Sequence, residues 1–331
     1  MVNQNLAEYT KRGISTKAGI LGKLREEPGN TVSGQSLGKV LGVSRVAVWK
    51  AVRSLQNAGY PIRGDDGGYR FSGDGEGDFL YPWEFGEGEG RFRHWVSTDS
   101  TMNRARDMAN RGAPGGMVFT AETQSAGRGR NGKKWTSNRG GLFFTLLERP
   151  GLGISEYTRL ALAAHIALGE AISGVCGKKA ELRWPNDVWI GDCKIAGLLT
   201  ELSGAGDRIE WMSIGMGINI NNPPPRRESI NCLKLLGHPV SRKDMLLRVL
   251  HTWEGLNGSA PGPRELQTRW NRAARGMGRP VLLIEPNRPA GPGEVRERGI
   301  FMGIDLSGRG LVKTPAGLKK FLPGSVSLVF D

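Results

Sequence analysis

Cysteine is scarce in this chain: 331 residues hold three, Cys176, Cys193 and Cys232, far apart in sequence and without the spacing of metal ligands. A sparse, odd-numbered set argues against a disulfide framework and suits a reducing cytoplasm; no residue is assigned to a resident metal. Long apolar runs are lacking too. None approaches the roughly 18 residues of a membrane span, so no membrane partner is expected. The opening residues, MVNQNLAEYTKRG, are polar, and no secretory signal is expected. What the chain has instead is basic charge, a formal net of +14 on a composition that is 38% hydrophobic. Polyanionic partners follow from that excess, and the length suggests more than one domain.

Acid is missing altogether from residues 125–135, SAGRGRNGKKW. Gly127, Gly129 and Gly132 suggest backbone N–H groups brought close to a ligand, and Arg128, Arg130, Lys133 and Lys134 add charge, so a phosphate-bearing ligand is the first expectation. The spacing also satisfies G-x-G-x-x-G, but a dinucleotide-binding unit needs a helix opening at the third glycine. KKWTSNRGG follows instead, rich in loop formers and without helical periodicity. The dinucleotide reading fails on that context, and a solvated basic loop is the plain alternative.

Residues 17–72 read as helix, helix, turn, helix and hairpin. KAGILGKLREE is the first helix, SGQSLGKVLG the second with Ser33 as its N-cap, and SRVAVWKAVRSLQNAGY the third. In the third, Val46, Trp49, Val52 and Leu55 recur every three residues and predict one apolar face, with Arg45, Lys50 and Arg53 outside it. YPIRGDDGGYRF predicts a hairpin turning at Asp66-Gly67. That order is a winged helix-turn-helix, whose basic helix enters a major groove while the hairpin touches backbone. Ser44, Arg45, Trp49, Lys50, Arg53 and Arg63 are the DNA-contact candidates, and operator DNA is the partner expected for residues 17–72. A small helical interaction domain with a solvated basic face is the competing reading. The expected division is 1–73 for this unit, 74–90 for an acidic, glycine-rich linker, 91–275 for a mixed α/β domain and 276–331 for five short strands suggesting a small barrel.

Within 91–275, TDSTMNRARDMANRG opens a helix, GMVFTAETQSA runs as a strand into the glycine loop, and GLFFTLLERP is a second strand. EYTRLALAAHIALGEAISGVCG is a long apolar helix, and ELRWPNDVWIGDCKIAGLLTEL a hairpin turning at Gly191-Asp192. NNPPPRRES is a surface loop, and MLLRVLHTWEGL and ELQTRWNRAA are helices. In RIEWMSIGMGINI the period-2 alternation places Gly215, Gly217 and Asn219 on one face, admitting either a ligand or a close helix contact. Pro185 inside RWPND implies an edge or bulge that exposes Asn186 and Asp187.

Taken in order, these motifs resemble those of biotin protein ligases of the bifunctional type, in which an N-terminal winged helix also makes the enzyme the biotin operon repressor. GRGRNGKKW is similar to the family's GRGRxGRxW, RWPND to KWPND, CKIAGLLTE to KxAGILxE, IGMGINI to IGxGIN and TDST to its substrate-binding DST. The resemblance implies an α/β (α+β) multidomain fold closed by a small SH3-like barrel. It further implies ATP-dependent activation of biotin to biotinyl-5'-AMP, with Mg²⁺, and transfer to a lysine of a biotin carboxyl carrier protein, in a ligand-promoted homodimer. By resemblance, Ser100, Thr101, Met102, Gln124, Arg128, Gly129, Arg130 and Lys194 hold biotin, while Lys133, Trp135, Asn186, Gly217 and Asn219 line the adenylate side. Lys194, Arg128, Arg130 and Asp187 are the catalytic candidates, Asp187 as the base for the incoming amine. Met102 stands where many members have Asn, and Arg183 where Lys is commoner. A biotin-sensing transcription factor without activity and a lipoate-type ligase are the rival readings.

Overall fold

The computed structural model describes residues 13–72, 77–151, 153, 156–223, 229–284 and 297–330. Residue 73 at the end of the first unit, 74–76 of the expected linker, 224–228 of the loop at 221–229 and 293–296 at the head of a C-terminal strand lie outside them. Two compact units result, 1–94 and 95–331.

In the first unit, α1 (Thr16–Glu26), α2 (Gly34–Leu41) and α3 (Arg45–Asn57) precede a hairpin of β1 (Ile62–Asp65) and β2 (Gly68–Phe71). Each helix starts on a serine, Ser15, Ser33 and Ser44, whose hydroxyl accepts a first-turn N–H. Gly42 closes α2 in the left-handed conformation. At the hairpin, Asp65 Oδ1 accepts from Gly67 and Gly68 N–H. Gly68 (φ +144°) lies where a Cβ would stand 2.2 Å from the Val32 carbonyl oxygen, so the tight approach requires glycine.

The predicted stripe on α3 is wrong by half. Val48, Ala51, Val52 and Leu55 are buried, whereas Val46 and Trp49 are 61% and 53% exposed. A strict three-residue repeat drifts about 60° around the helix at each step, so only its last two members reach the core. Arg45, Val46, Trp49, Lys50 and Arg53 instead share the solvent face.

Residues 77–91, read from composition as a tether, pack on this unit. Phe79 stacks on Tyr60 with centroids 4.2 Å apart, and Tyr81 on Trp83 at 4.7 Å. Buried Glu84 accepts from both Arg25 Nη atoms at 3.0 and 2.9 Å and from the Tyr60 hydroxyl at 2.6 Å. Aromatic area gives this segment a burial that its acid and glycine content does not suggest.

The second unit is built on a seven-stranded sheet in the order β3-β4-β5-β9-β8-β7-β6. Its strands are β3 (Phe92–Thr98), β4 (Met117–Gln124), β5 (Leu142–Glu148), β6 (Glu181–Arg183), β7 (Asp187–Ile190), β8 (Cys193–Ala205) and β9 (Arg208–Ile218). From β4 to β6 every pairing is antiparallel. The helices are α4 (Thr101–Asn110), α5 (Glu156–Cys176), α6 (Cys232–Leu236), α7 (Arg242–Ser259) and α8 (Pro263–Ala273). Contrary to expectation, α5 is long and apolar enough to cross a membrane. It is buried in the core, packed against α7 and α8, which is the ordinary reason for such a helix in a globular unit. Strand β3 and the short α6 had no counterpart in the sequence reading.

Five antiparallel strands follow in the order β13-β12-β11-β10-β14: β10 (Pro280–Ile284), β11 (Glu297–Ile304), β12 (Gly310–Thr314), β13 (Gly317–Phe321) and β14 (Ser327–Phe330). Val281, Leu283, Phe301, Ile304, Val312 and Leu328 form their core.

Candidate active site

The basic loop is a hairpin. Trp135 N–H donates to the Gly127 carbonyl at 2.9 Å and Gly129 N–H to Lys133 O at 2.7 Å, around a turn with Asn131 and Gly132 at positive φ. A Cβ at Gly127 would lie 2.6 Å from Trp135 O, so this glycine lets the two arms close. Of the loop glycines' N–H groups, that of Gly129 is consumed inside the hairpin, as is that of Trp135, and the loop also brings charge to the site through side chains.

The hairpin lies over a cavity of about 400 Å³ in the second unit. Ser100, Thr101, Met102, Gln124, Arg128, Gly129, Arg130, Lys133, Trp135, Asn186, Asp187, Lys194, Gly217 and Asn219 all line it, so the expected ligand and catalytic positions converge. Among the described residues, six cations (Arg128, Arg130, Lys133, Lys134, Arg183, Lys194) and one carboxylate, Asp187, share its wall.

Its polar end is built on α4. Ser100 caps the helix, accepting from Met102 N–H at 3.2 Å. Gln124 Oε1 accepts from Thr101 N–H at 2.8 Å and from its hydroxyl at 3.2 Å, while Gln124 Nε2 donates to Ser137 Oγ and Thr145 Oγ1 to Thr101 Oγ1. Ser137 and Thr145 were not expected here; as lone hydroxyls they carry no motif. Met102 fills the space that Gly215 leaves open, where a Cβ would stand 2.7 Å from its sulfur.

At the charged end, Lys194 Nζ donates to Asp187 Oδ1 at 2.6 Å and lies 5.2 Å from the centroid of Trp135. The indole rests on the glycine face: a Cβ at Gly217 would approach it to 2.5 Å and one at Gly197 to 3.1 Å. Its buried Nε1–H, packed against Gly217, has no partner among the described residues. Asn186 is tied to β8, its Nδ2 donating to Leu198 O and its carbonyl accepting from Leu198 N–H. Asn219 is buried, its Oδ1 accepting from Asn222. The cations are held differently: Arg128 donates to Asn103 and pairs with Glu201 at 3.2 Å, whereas Arg130 has no ion pair among the described residues. Burial disfavours the charged form of Arg130 and lowers its pKa, with Tyr157 and Asp187 opposing that effect.

The C-terminal strands take part, which sequence reasoning missed. Gly324 and Val326–Val329 line the cavity, and Gly324 leaves room for the Arg130 guanidinium. Arg183 Nη2 donates to Leu328 O at 2.9 Å and stacks on Trp189 at 4.6 Å; Trp184 Nε1 donates to Gly308 O at 3.1 Å. Nothing in β14 marks it as functional from sequence, because its contribution is position and backbone.

Residues 95–219 match the biotin/lipoate A/B protein ligase family and residues 17–70 a helix-turn-helix domain. Similar at full length is the bifunctional ligase/repressor BirA of Bacillus subtilis strain 168, 30% identical over 92% of this chain and 97% of that protein. The chain belongs to the biotin protein ligase family. Its Escherichia coli K12 counterpart is 29% identical over 89% of this chain and 92% of its own length. Among solved structures, the Aquifex aeolicus biotin protein ligase in complex with biotin and ATP superposes with a TM-score of 0.61, at 27% identity, covering 73% of this chain and 99% of that one. The family's helix-turn-helix unit is present here with Arg45, Trp49, Lys50 and Arg53 exposed on α3, Ser44 at its cap and Arg63 exposed in β1.

Proposed function

We propose that the chain is a biotin protein ligase: it activates biotin with ATP to biotinyl-5'-AMP, releasing pyrophosphate, and transfers the biotinyl group to a lysine of a biotin carboxyl carrier protein. It is also a DNA-binding repressor. The observation that carries the enzymatic reading is the six-to-one excess of cations over carboxylate around one cavity that also offers a polar, half-apolar end.

In the first step a carboxylate oxygen of biotin bonds to the α-phosphorus and the bond to pyrophosphate breaks. Two anions must meet, so fixed cations lower the barrier by stabilising charge where it develops. We assign Lys194 and Arg130 to this role, since both line the cavity, with Arg128 tethered by Glu201 beside them. Asp187 orients Lys194 before the ligand arrives. Once phosphate or carboxylate engages the ammonium, Asp187 is freed to accept the proton of the carrier lysine as its amine attacks the acyl carbon and AMP leaves. Trp135, already on the glycine face, shields the mixed anhydride from water. Mg²⁺ would enter with the nucleotide, bound mainly through phosphates and its own waters, and would supply charge neutralisation there; no cluster of metal-ligating side chains lies among the described residues.

The Thr101–Gln124–Ser137 network offers a donor and acceptor set for a neutral ureido ring, which favours biotin over lipoate. We further assign Ser100, Thr101, Met102, Gln124 and Gly129 to biotin, Lys133, Asn186, Gly217 and Asn219 to the adenylate, and 276–331 to an SH3-like barrel closing the site. Residues 1–73 form the operator-binding domain, 74–90 join it to the ligase domain at 91–275, and the protein acts in the cytoplasm as a ligand-promoted homodimer. Mass spectrometry of a carrier domain incubated with ATP and either biotin or lipoate tests the reading. A biotinyl adduct on one lysine is expected, and no adduct with either acid would leave only a sensor. Sedimentation with and without biotinyl-5'-AMP tests the dimer.

A further inference from the structure

His165 is a polar residue buried in an otherwise apolar stretch of α5, 2% exposed and wholly inside the fold. Burying an imidazole costs free energy unless both nitrogens are satisfied, and a leucine would fill the same space without that cost. Both nitrogens are satisfied. Trp270 Nε1 on α8 donates to His165 Nδ1 at 3.1 Å, which leaves the proton on Nε2, and Nε2 lies 3.1 Å from the main-chain carbonyl oxygen of Asp187 on β7. Burial pushes the imidazole pKa down to about 4, so the ring is neutral at physiological pH and keeps this tautomer.

The carbonyl at the end of that chain belongs to Asp187, the one acidic residue in the cavity wall among the described residues. Asp187 is paired with Gly197 on β8 and with Arg183 on β6, and the ladder breaks register one residue further on. Register between β7 and β8 shifts between Val188 and Trp189, and the shift pairs Trp189 with Lys194, so Asp187 and Lys194 flank an irregularity. The Trp270 end is fixed independently: α8 runs on to Arg275, whose N–H donates to Leu182 O and whose side chain reaches Glu181, the Gly191 carbonyl and Asp192.

We propose that His165 is a positioning residue of the ligase site: held by Trp270, it fixes the Asp187 main chain and thereby the geometry of the Asp187–Lys194 pair. This rests on the role given above to that pair. A misplacement of about 1 Å in a reacting constellation is enough to cost up to ~10²-fold in rate, so a restraint on the backbone beside a bulge has kinetic weight.

The test uses the full chain and measures kcat and KM in biotin-dependent pyrophosphate release for His165→Leu, His165→Gln, Trp270→Phe, Asp187→Asn and the double variant His165→Leu/Asp187→Asn, with urea midpoints to confirm folding. His165→Leu should lower kcat by about 10-fold or more with KM for biotin and ATP within about twofold. His165→Gln, whose amide offers a donor in place of Nε2–H, should recover most of the loss. Trp270→Phe, which keeps the packing and removes one donor, should lower kcat in the same direction. The double variant should be no slower than Asp187→Asn alone, because both changes act on one group. A strong loss in Asp187→Asn with His165→Leu within about twofold of wild type, or multiplicative losses in the double variant, overturns the positioning role. An inert Asp187→Asn overturns the underlying reading of the pair instead. If His165→Leu does not fold, Trp270→Phe and His165→Gln decide: unchanged kcat in the first and a loss without rescue in the second sink the proposal.

Discussion

Replacing Lys194 with alanine is the most direct probe of the charged end of the cavity. The change removes an ammonium whose nitrogen lies 2.6 Å from Asp187 Oδ1 and leaves five cations in the wall. Those five are poor substitutes. Arg128 is held by Asn103 and Glu201, Arg183 is committed to Leu328 and the Trp189 ring, and Lys133 and Lys134 are exposed. Arg130 alone is half-buried in the site without an ion pair among the described residues, and it cannot occupy two places. Losing one preorganised donor at a centre of developing charge costs about 10²- to 10³-fold in kcat, or ~3–4 kcal/mol. Folding should hardly change: the pair is partly solvated, and such pairs contribute about 1 kcal/mol or less. Lys194→Arg keeps the charge but presents a planar fork that Asp187 can bind through both oxygens, so it should recover only part of the rate. Biotin-dependent pyrophosphate release measures the first step, and transfer from synthetic biotinyl-5'-AMP to a carrier domain measures the second alone. The first should collapse in Lys194→Ala while the second largely survives. Pyrophosphate release within about threefold of wild type would refute the assignment of Lys194 to the displacement.

Arg130→Gly removes the guanidinium lodged against Gly324 and should loosen retention of the adenylate, so that mass spectrometry finds biotin on many lysines of bystander proteins; labelling confined to the carrier would rule out a guarding role. Arg53→Ala, on the exposed face of α3, should lower the slope of log K against log salt for operator DNA by about 0.9, with an unchanged slope excluding a phosphate contact. Stability should depend on pH through His165. Its folded pKa of about 4 lies below the ordinary 6.5, so its contribution is complete above about 6.5 and is lost as pH falls through 4. Urea unfolding should show an order-of-magnitude loss of ~3 kcal/mol across that window that His165→Gln lacks, and parallel curves for the two proteins would contradict a buried neutral imidazole.

The positions of the cavity wall were legible chiefly through the resemblance of five motifs, in order, to those of biotin protein ligases, and alternation along the strands added only a face. Gly217 shows the limit of that logic: alternation gives its face, but only packing reveals that an indole from a loop eighty residues earlier rests on it. The α3 stripe failed because a three-residue repeat approximates the helix period over one turn and drifts over three. The tether at 77–91 was judged by acid and glycine, whereas Phe79, Tyr81, Trp83 and the buried Glu84 decide its packing. His165 left no trace in sequence at all, since a histidine among alanines and leucines declares neither of its hydrogen-bond partners.

The hairpin form of the basic loop changes what its glycines mean. A phosphate cradle of backbone N–H groups would bind any nucleotide before chemistry and hold the ground state as tightly as the transition state, which accelerates nothing. Here two of those donors are spent on closing the hairpin, and the arms carry Arg128, Arg130 and Trp135 to different partners: Glu201 on β8, Gly324 beside β14 and the glycine face of β9. Each partner lies on a separate element, so the three side chains reach their places together only when those elements are together. Arg130 against Gly324 then couples the hairpin to the C-terminal strands, and the site that stabilises the displacement is complete only with both in contact.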